Sequence, residues 1–433
     1  SPSLLIVPAR FKTGKLYTQI ATTSAGVVLG SSGDFNVTRA TTATRFNSAG
    51  LIESVASGVP RLDYYTSGGT AGCPALLVEP SGTNFARGVE LLNTPTPATA
   101  AGGITVTTGS TDFLAPDGTS GTITKYVGGT ASGSNFLEYV SSTSVTAAGV
   151  HTFSAFVKAG ATNPLNFCAL QFTAFTGGSG TGTSYFSLAS GTALTTGASI
   201  QDYGNGWYRI ISAPYTIAAG DLTGDIRLLF AEGNNDASFL ASGALNLTLY
   251  AWGIQLEAGS VATSYIPTTT ASATRNADVI SLSGVVSGCI GQTEGTTYAE
   301  VDLRNITGNK VIVNLSNGTA DYRLLLQIQT TNTLYFYSNN GGATTAIATG
   351  TVTTGTHKIA ASYSSGNVQM YLDGSFLASG TMSNYPTVSL TDVAIGTRIS
   401  SGVYGLFFND RIRAAALYTT RLTDAELAAL TTP

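Results

Sequence analysis

The chain has 433 residues, 43% hydrophobic and only 10% charged, with 51 glycines, a formal net charge of −4 and a pI near 5.2. An acidic chain with so few cations offers no phosphate-binding face, which argues against nucleic acid as a partner, and its 20 Tyr and 18 Phe argue against disorder. The length implies two or three domains of roughly 100 to 200 residues, and charge far below the average of about 25% leaves Thr, Ser, Gly and Asn to build the surface.

Taken in order, residues 1 to about 33 read as an extended arm. Its apolar run Leu4 to Val7 is followed, not preceded, by Arg10, Lys12 and Lys15, the wrong side for a secretory signal. No stretch approaches a membrane span. The first residue is Ser1, as expected after removal of an initiator Met or of a longer leader. Strand signals in the arm are confined to Leu16–Ile20 and Val27–Leu29. From Asp34 the text DFNVTRATTATRFNSAGLIESVASGVPRLDYY places two short strands around a turn at Asn47 to Gly50. CPALLVEPSGTN follows at Cys73 to Asn84, with Pro60 and Pro80 ending strands and Gly50 and Gly58 serving turns.

TPTPATAAGG at Thr94 to Gly103 reads as a linker. Beyond it, APDGTSGTITKY, VHTFSAFVKAG and YGNGWYRIISAPYTI supply strands, and Asn205-Gly206 between alternating segments is a hairpin signal. Then comes LTLYAWGIQLEAGSVATSYIPTTTASATR, residues 247–275, the joint of the chain. Tyr250, Trp252, Ile254 and Leu256 alternate there with Ala251, Gly253, Gln255 and Glu257, which predicts a half-buried strand with its apolar set facing a core. Pro267 and a Thr, Ala and Ser run then end the ladder.

A fresh series of strands begins near Val279: YAEVDLRN, DYRLLLQIQ, TLYFYSNNGG and THKIAASYSSGNVQMYLDGSFLASG. Within the last, Val368, Met370 and Leu372 face inward and Asp373-Gly374 makes a hairpin turn. One helix closes the chain, where Thr423 and Glu426 form a capping box and Leu422 with Leu427 a staple. The expectation is an all-β protein: an N-terminal attachment segment, two antiparallel β-sandwiches and one short C-terminal helix.

WGIQLEAGSVATSYIPTTTASATR, together with the stretches at 34–65 and 73–84, resembles segments that recur in bacteriophage virion proteins with lectin-like modules. The central part resembles jelly-roll carbohydrate-binding modules, and the last part resembles concanavalin A-like domains of the laminin G type. The resemblance implies an arm and virion attachment segment over 1–93, a jelly roll over 94–270 and a concanavalin A-like sandwich over 271–433. It implies a structural protein of head fibre, spike, decoration or tail fibre type, located in the virion after assembly in the bacterial host cytoplasm. Its partners would be capsid or tail proteins, met through the N-terminal segment, with a homotrimer expected by analogy to fibres and host-surface glycans as ligands. A tailspike polysaccharide depolymerase and a secreted carbohydrate-binding protein are the alternatives.

Catalytic signals are weak, and the expectation is a protein that is not an enzyme. His151 and His357 sit in strand-like words without a nucleophile motif. Glu300 and Asp302 share one strand face, as in laminarinase-type glycosidases, but those use Glu-x-Asp-x-x-Glu and this chain has Asn305 at the third position. For sugar binding, aromatic faces beside amides are wanted. Tyr335 and Tyr337, on the face of their strand shared with Thr331, Thr333 and Asn339, are candidates, and so are Tyr371, Trp207 and Tyr208. The alternation around Trp207 and Trp252 otherwise reads as core. Glu232, Asn234, Asn235 and Asp236 could offer oxygen ligands to Ca2+, although Asn and Asp also dominate ordinary loops. No cofactor is otherwise expected, and Cys73, Cys168 and Cys289, far apart in sequence, are expected to be thiols.

Overall fold

The computed structural model describes residues 4–6, 35–66, 68–86, 99–100, 103–129, 133–134, 136–175, 180–239, 246–284, 289–364 and 366–433. The expected arm strands at 16–20 and 27–29, and most of the expected linker, lie outside them. Among the described residues the chain is all-β apart from one helix, Asp424–Thr431. Cys73, Cys168 and Cys289 are thiols, not joined by a disulfide.

Two sheets face each other in the middle of the chain. In one, Gly149–Ala159 and Thr248–Ala258 are central and antiparallel, flanked by Tyr208–Ile211 and Ile123–Val127. In the other, Phe167–Phe175 and Thr223–Ala231 are central. Phe153, Phe172, Phe186, Ile226, Phe230 and Leu256 fill the space between them. Burying a large apolar side chain contributes about 1.5–3 kcal/mol, so this core alone is a major part of the folding energy.

The joint strand departs from the sequence expectation. All of it except Ala258 is buried, on both faces. Tyr250 and Trp252 belong to a separate cluster with Trp207, Phe156 and Tyr265, while Ile254 and Leu256 face the sandwich core. The cause is Gly253, which sits at φ +58° where the pairing with Gly149–Ala159 shifts register. One extra residue in a period-two strand moves everything after it to the opposite face.

The second sandwich comprises an eight-stranded and a seven-stranded antiparallel sheet. Glu294–Leu303 lies between Gly355–Ser364 and Asp410–Tyr418 in the first. In the second, Lys310–Ser316, Tyr322–Ile328, Thr333–Asn340 and Ala343–Thr351 run in order. Val301, Leu315, Leu326, Phe336, Tyr363 and Met370 are buried between the sheets. The helix packs Leu427 onto Tyr298, Ala360 and Tyr371, on the outer face of the eight-stranded sheet. Its capping box is formed in both directions, and Leu422 packs into the same cluster.

The N-terminal stretch does not stand apart as a separate segment. Leu62–Tyr65 and Ala71–Val78 extend the eight-stranded sheet beyond Asp410–Tyr418, and Leu4–Ile6 pairs with the rest of that strand. Asn36–Thr38 adds to Val279–Ser283 at the edge of the seven-stranded sheet, and Gly82–Asn84 pairs with Ala273–Arg275. Both sheets of the last sandwich are thus completed by strands more than two hundred residues earlier in the sequence, pairings that local periodicity cannot announce.

Candidate functional site

The stretches at 34–65, 73–84 and 247–275 converge on one buried ionic clamp. Arg39 meets Asp278 at 2.9 Å, Arg61 meets both Glu79 at 2.8 Å and Asp278, and Arg275 meets Glu79 at 2.5 Å. All five side chains are at most 2% exposed. Ser264 adds two bonds to Glu79, from its amide at 2.8 Å and its hydroxyl at 2.7 Å. Burial pushes the Glu79 carboxyl up, but the Arg275 and Arg61 guanidiniums outweigh it and hold the group well below the usual carboxylate range. Glu257 is the counter-example: burial raises it, outweighing bonds from Thr263 and the attraction of Arg209 and Arg275. Asn84 is saturated, donating to the carbonyls of Ile254 and Ile266 and accepting from the amides of Ala86 and Leu256. The clamp fixes the two sandwiches to one frame; it is structural, and sequence reading passed over it.

On that frame, the outer face of the seven-stranded sheet carries the first candidate surface. A hairpin formed by Arg398–Ser400 and Val403–Gly405 lies across its middle strands: Val311 donates to Leu406 O at 3.2 Å and Arg323 reaches Ile399 O at 3.5 Å. Farther out, Tyr335 and Tyr337 are half-buried on the outer side, while Leu334 and Phe336 point into the core. Tyr335 stands opposite Gln327, and Tyr337 opposite Leu325 and Ala346. The result is a pair of half-buried phenol rings opposite Gln327, itself only 7% exposed, with Arg323 diagonal to Tyr337. Arg323 is itself buried, and burial together with the neighbouring Arg398 lowers its pKa from the ordinary arginine value. Asn339 is consumed by its own turn, donating to Ala320 O and accepting from Gly342 N.

The remaining candidates separate. Tyr371 is 7% exposed and lies under the C-terminal helix with an edge contact to Phe376, so it offers no open face to a sugar; the correction follows from a helix covering that side of the sheet. Trp207 is buried, its indole donating to Leu114 O at 2.9 Å, whereas Tyr208 packs partly against the jelly-roll core. Adjacent residues on a strand face opposite ways, so Trp207 and Tyr208 cannot form one platform. Glu232, Asn234, Asn235 and Asp236 form an exposed turn in which Glu232 N donates to Asp236 O and the Asp236 carboxylate accepts from Ser238 N. Those bonds are what an Asx turn needs. Among the described residues no group of three His, Cys, Asp or Glu side chains is placed to hold a metal.

Two members of the glycosidase-like pattern, Asp302 and Asn305, are also committed. Asp302 meets Arg411 at 3.0 Å and Arg413 at 3.5 Å. Asn305 bonds to Asp410 and the Asn409 carbonyl. His357 faces Asp373 at 2.7 Å, and His151 bonds to Gly149 O at 3.0 Å.

Residues 274–428 match the model of the Concanavalin A-like lectin/glucanases superfamily. This part of the chain is a concanavalin A-like domain. No curated protein shows significant sequence similarity to the chain. Among solved structures, the CBM40 module of the Ruminococcus gnavus IT-sialidase is 17% identical over 33% of this chain and 85% of its own, with a TM-score of 0.30. The leech intramolecular trans-sialidase is 14% identical over 35% and 27%, with a TM-score of 0.31. The binding domain of botulinum neurotoxin DC, solved with rat synaptotagmin II, is 9% identical over 36% and 40%, with a TM-score of 0.30.

Proposed function

We propose that the protein is a bacteriophage structural component, a head fibre, spike, decoration or tail fibre, whose lectin-like modules hold host-surface or environmental glycans without chemistry. Glycan binding is supported by the concanavalin A-like domain, and the observation that carries it is the half-exposed Tyr335 and Tyr337 pair beside Gln327. Phenol rings stack on the apolar face of a pyranose while the amide fixes a hydroxyl. The particle role is supported by the resemblance of the stretches at 34–65, 73–84 and 247–275 to words shared by virion proteins. In this reading the N-terminal part meets capsid or tail proteins, the chain trimerises, and assembly takes place in the host cytoplasm. Weak sites repeated by particle symmetry then bind a cell surface through avidity. A role without catalysis is supported by Asp302, already held by two arginines.

Two experiments test it. Antibody against residues 271–433, applied to purified phage particles in the electron microscope, should decorate capsid or tail; bare particles would refute the virion assignment. The full chain should bind oligosaccharides on an array and lose that binding with Tyr335→Ala and Tyr337→Ala combined. Shortened polysaccharide chains after incubation would instead favour a depolymerase.

A further inference from the structure

Between the two sandwiches lies a cleft of about 520 Å³, within the range of roughly 300–1,000 Å³ usual for ligand sites. Five of its fourteen lining residues are charged, in a chain where charge makes up 10%. Asp202 and Gln201 stand on the jelly-roll wall, and Asp302, Arg411 and Arg413 on the wall of the concanavalin A-like domain. Tyr65, from the N-terminal hairpin, also lines it.

We infer that this cleft is a second glycan site, built to take a neutral saccharide from both modules at once; the inference rests on the glycan-binding reading above. Its geometry is fixed from behind. Arg411 is 2% exposed, bonds to Asp63 at 3.0 Å and to Tyr65 O at 2.5 Å, and lies 5.1 Å from the Tyr65 ring. So anchored, it presents its other amino group to Asp302 Oδ2 at 3.0 Å, the same oxygen that Arg413 approaches. Asp302 Oδ1 is left for a hydroxyl. Across the cleft Asp202 is held by its own turn, its Oδ1 accepting from Gly204 N at 2.7 Å.

The wall separation is also set by contact. Gly69, at φ +67°, packs backbone to backbone on Gly204, and a methyl built at Gly69 would overlap the Gly204 amide.

Charge selects the ligand class. Arg304 and Lys310 share Asp410, Arg411 lies between Asp63 and Asp302, and Arg413 also approaches Asp302, so with Asp202 four cations meet four carboxylates. A charge-balanced wall gives an anion no net attraction, whereas sugar hydroxyls donate to the carboxylates and accept from Arg413 and Gln201.

The test titrates the full chain by calorimetry and saturation-transfer NMR with lactose, cellobiose, maltose and N-acetyllactosamine, and with 3′-sialyllactose as the acidic comparator. A neutral sugar should bind, and Asp202→Asn and Gln201→Ala should each weaken it at least tenfold while Tyr335→Ala/Tyr337→Ala leaves that component in place. Both cleft changes lie on half-exposed positions, and an unchanged melting temperature confirms folding. Unaltered affinity in both cleft variants, with all binding lost in the tyrosine variant, would overturn the cleft site and leave the glycan reading standing. Binding of the acidic comparator alone would overturn the neutral assignment, and no binding of any sugar would overturn both.

Discussion

Replacing Arg61 with Met tests whether the clamp is a single interdependent unit. Arg61 is fully buried and bonds to Glu79, to Asp278 through two nitrogens, to Thr44 O at 3.0 Å and to Ser264 Oγ at 2.7 Å. Met fills similar volume but leaves Glu79 with Arg275 and Asp278 with Arg39, so two carboxylates lose half of their cations inside the protein. Breaking a buried pair from one side costs about 3–5 kcal/mol, a large fraction of a total stability of about 5–15 kcal/mol. Urea unfolding followed by tryptophan fluorescence is the assay, since both tryptophans lie in the cluster beside the joint. Arg61→Lys should recover only part of the loss, because an ammonium is a point charge where a planar fork of five donors is needed. The pH dependence carries a sign. With Glu79 depressed in the folded state, its contribution is complete above the unfolded value of about 4.3 and is lost as pH falls below it. Arg61→Met should flatten that acid loss. A change in unfolding free energy under about 1 kcal/mol, with an unaltered acid limb, would refute the clamp.

Three further outcomes follow from the same geometry. Gly69→Ala should cost more than Gly68→Ala, although both sit at positive φ, because the second meets nothing within 4 Å; about 1–2 kcal/mol of backbone strain is common to both, and the melting difference reads the contact with Gly204. His151 is buried against Gly149 O with its Nε2 unpartnered, and burial lowers its pKa, so the unfolded chain binds its proton more readily. Stability should therefore fall as pH drops below about 6.5, and His151→Leu should remove that slope between pH 7 and 5 in thermal melts. Tyr371→Ala should destabilise by about 3 kcal/mol with glycan affinity intact, whereas Tyr337→Ala should weaken glycan binding with little change in melting.

What was legible in the sequence was local. The turns at Asn47–Gly50, Asn205-Gly206 and Asp373-Gly374 form because Asn, Asp and Gly accept left-handed backbone, and Asn205 and Asp373 do so at φ +52° and +48°. The capping box and the alternation of Leu334 and Phe336 with Tyr335 and Tyr337 are local in the same sense. Tyr371 misled because alternation tells which side of a strand a residue takes, not whether a distant helix covers that side. Gly253 misled because a bulge adds one residue without altering the pattern of letters. The clamp did leave a signal: in a chain that is 10% charged, Arg39, Arg61, Glu79, Arg275 and Asp278 lie in otherwise apolar and small-residue text, where an unpaired ion would be costly.

The clamp and the cleft depend on a common segment. Asp63 holds Arg411 at 3.0 Å and accepts from the amides of Phe46 and Tyr65, and Arg411 in turn fixes Asp302 on the cleft wall. Two residues before Asp63 on the same strand region, Arg61 enters the clamp. A displacement of the N-terminal hairpin therefore changes both the joint and the wall that faces Asp202. This makes the N-terminal stretch part of the frame behind the proposed cleft site as well as the part proposed to meet the particle.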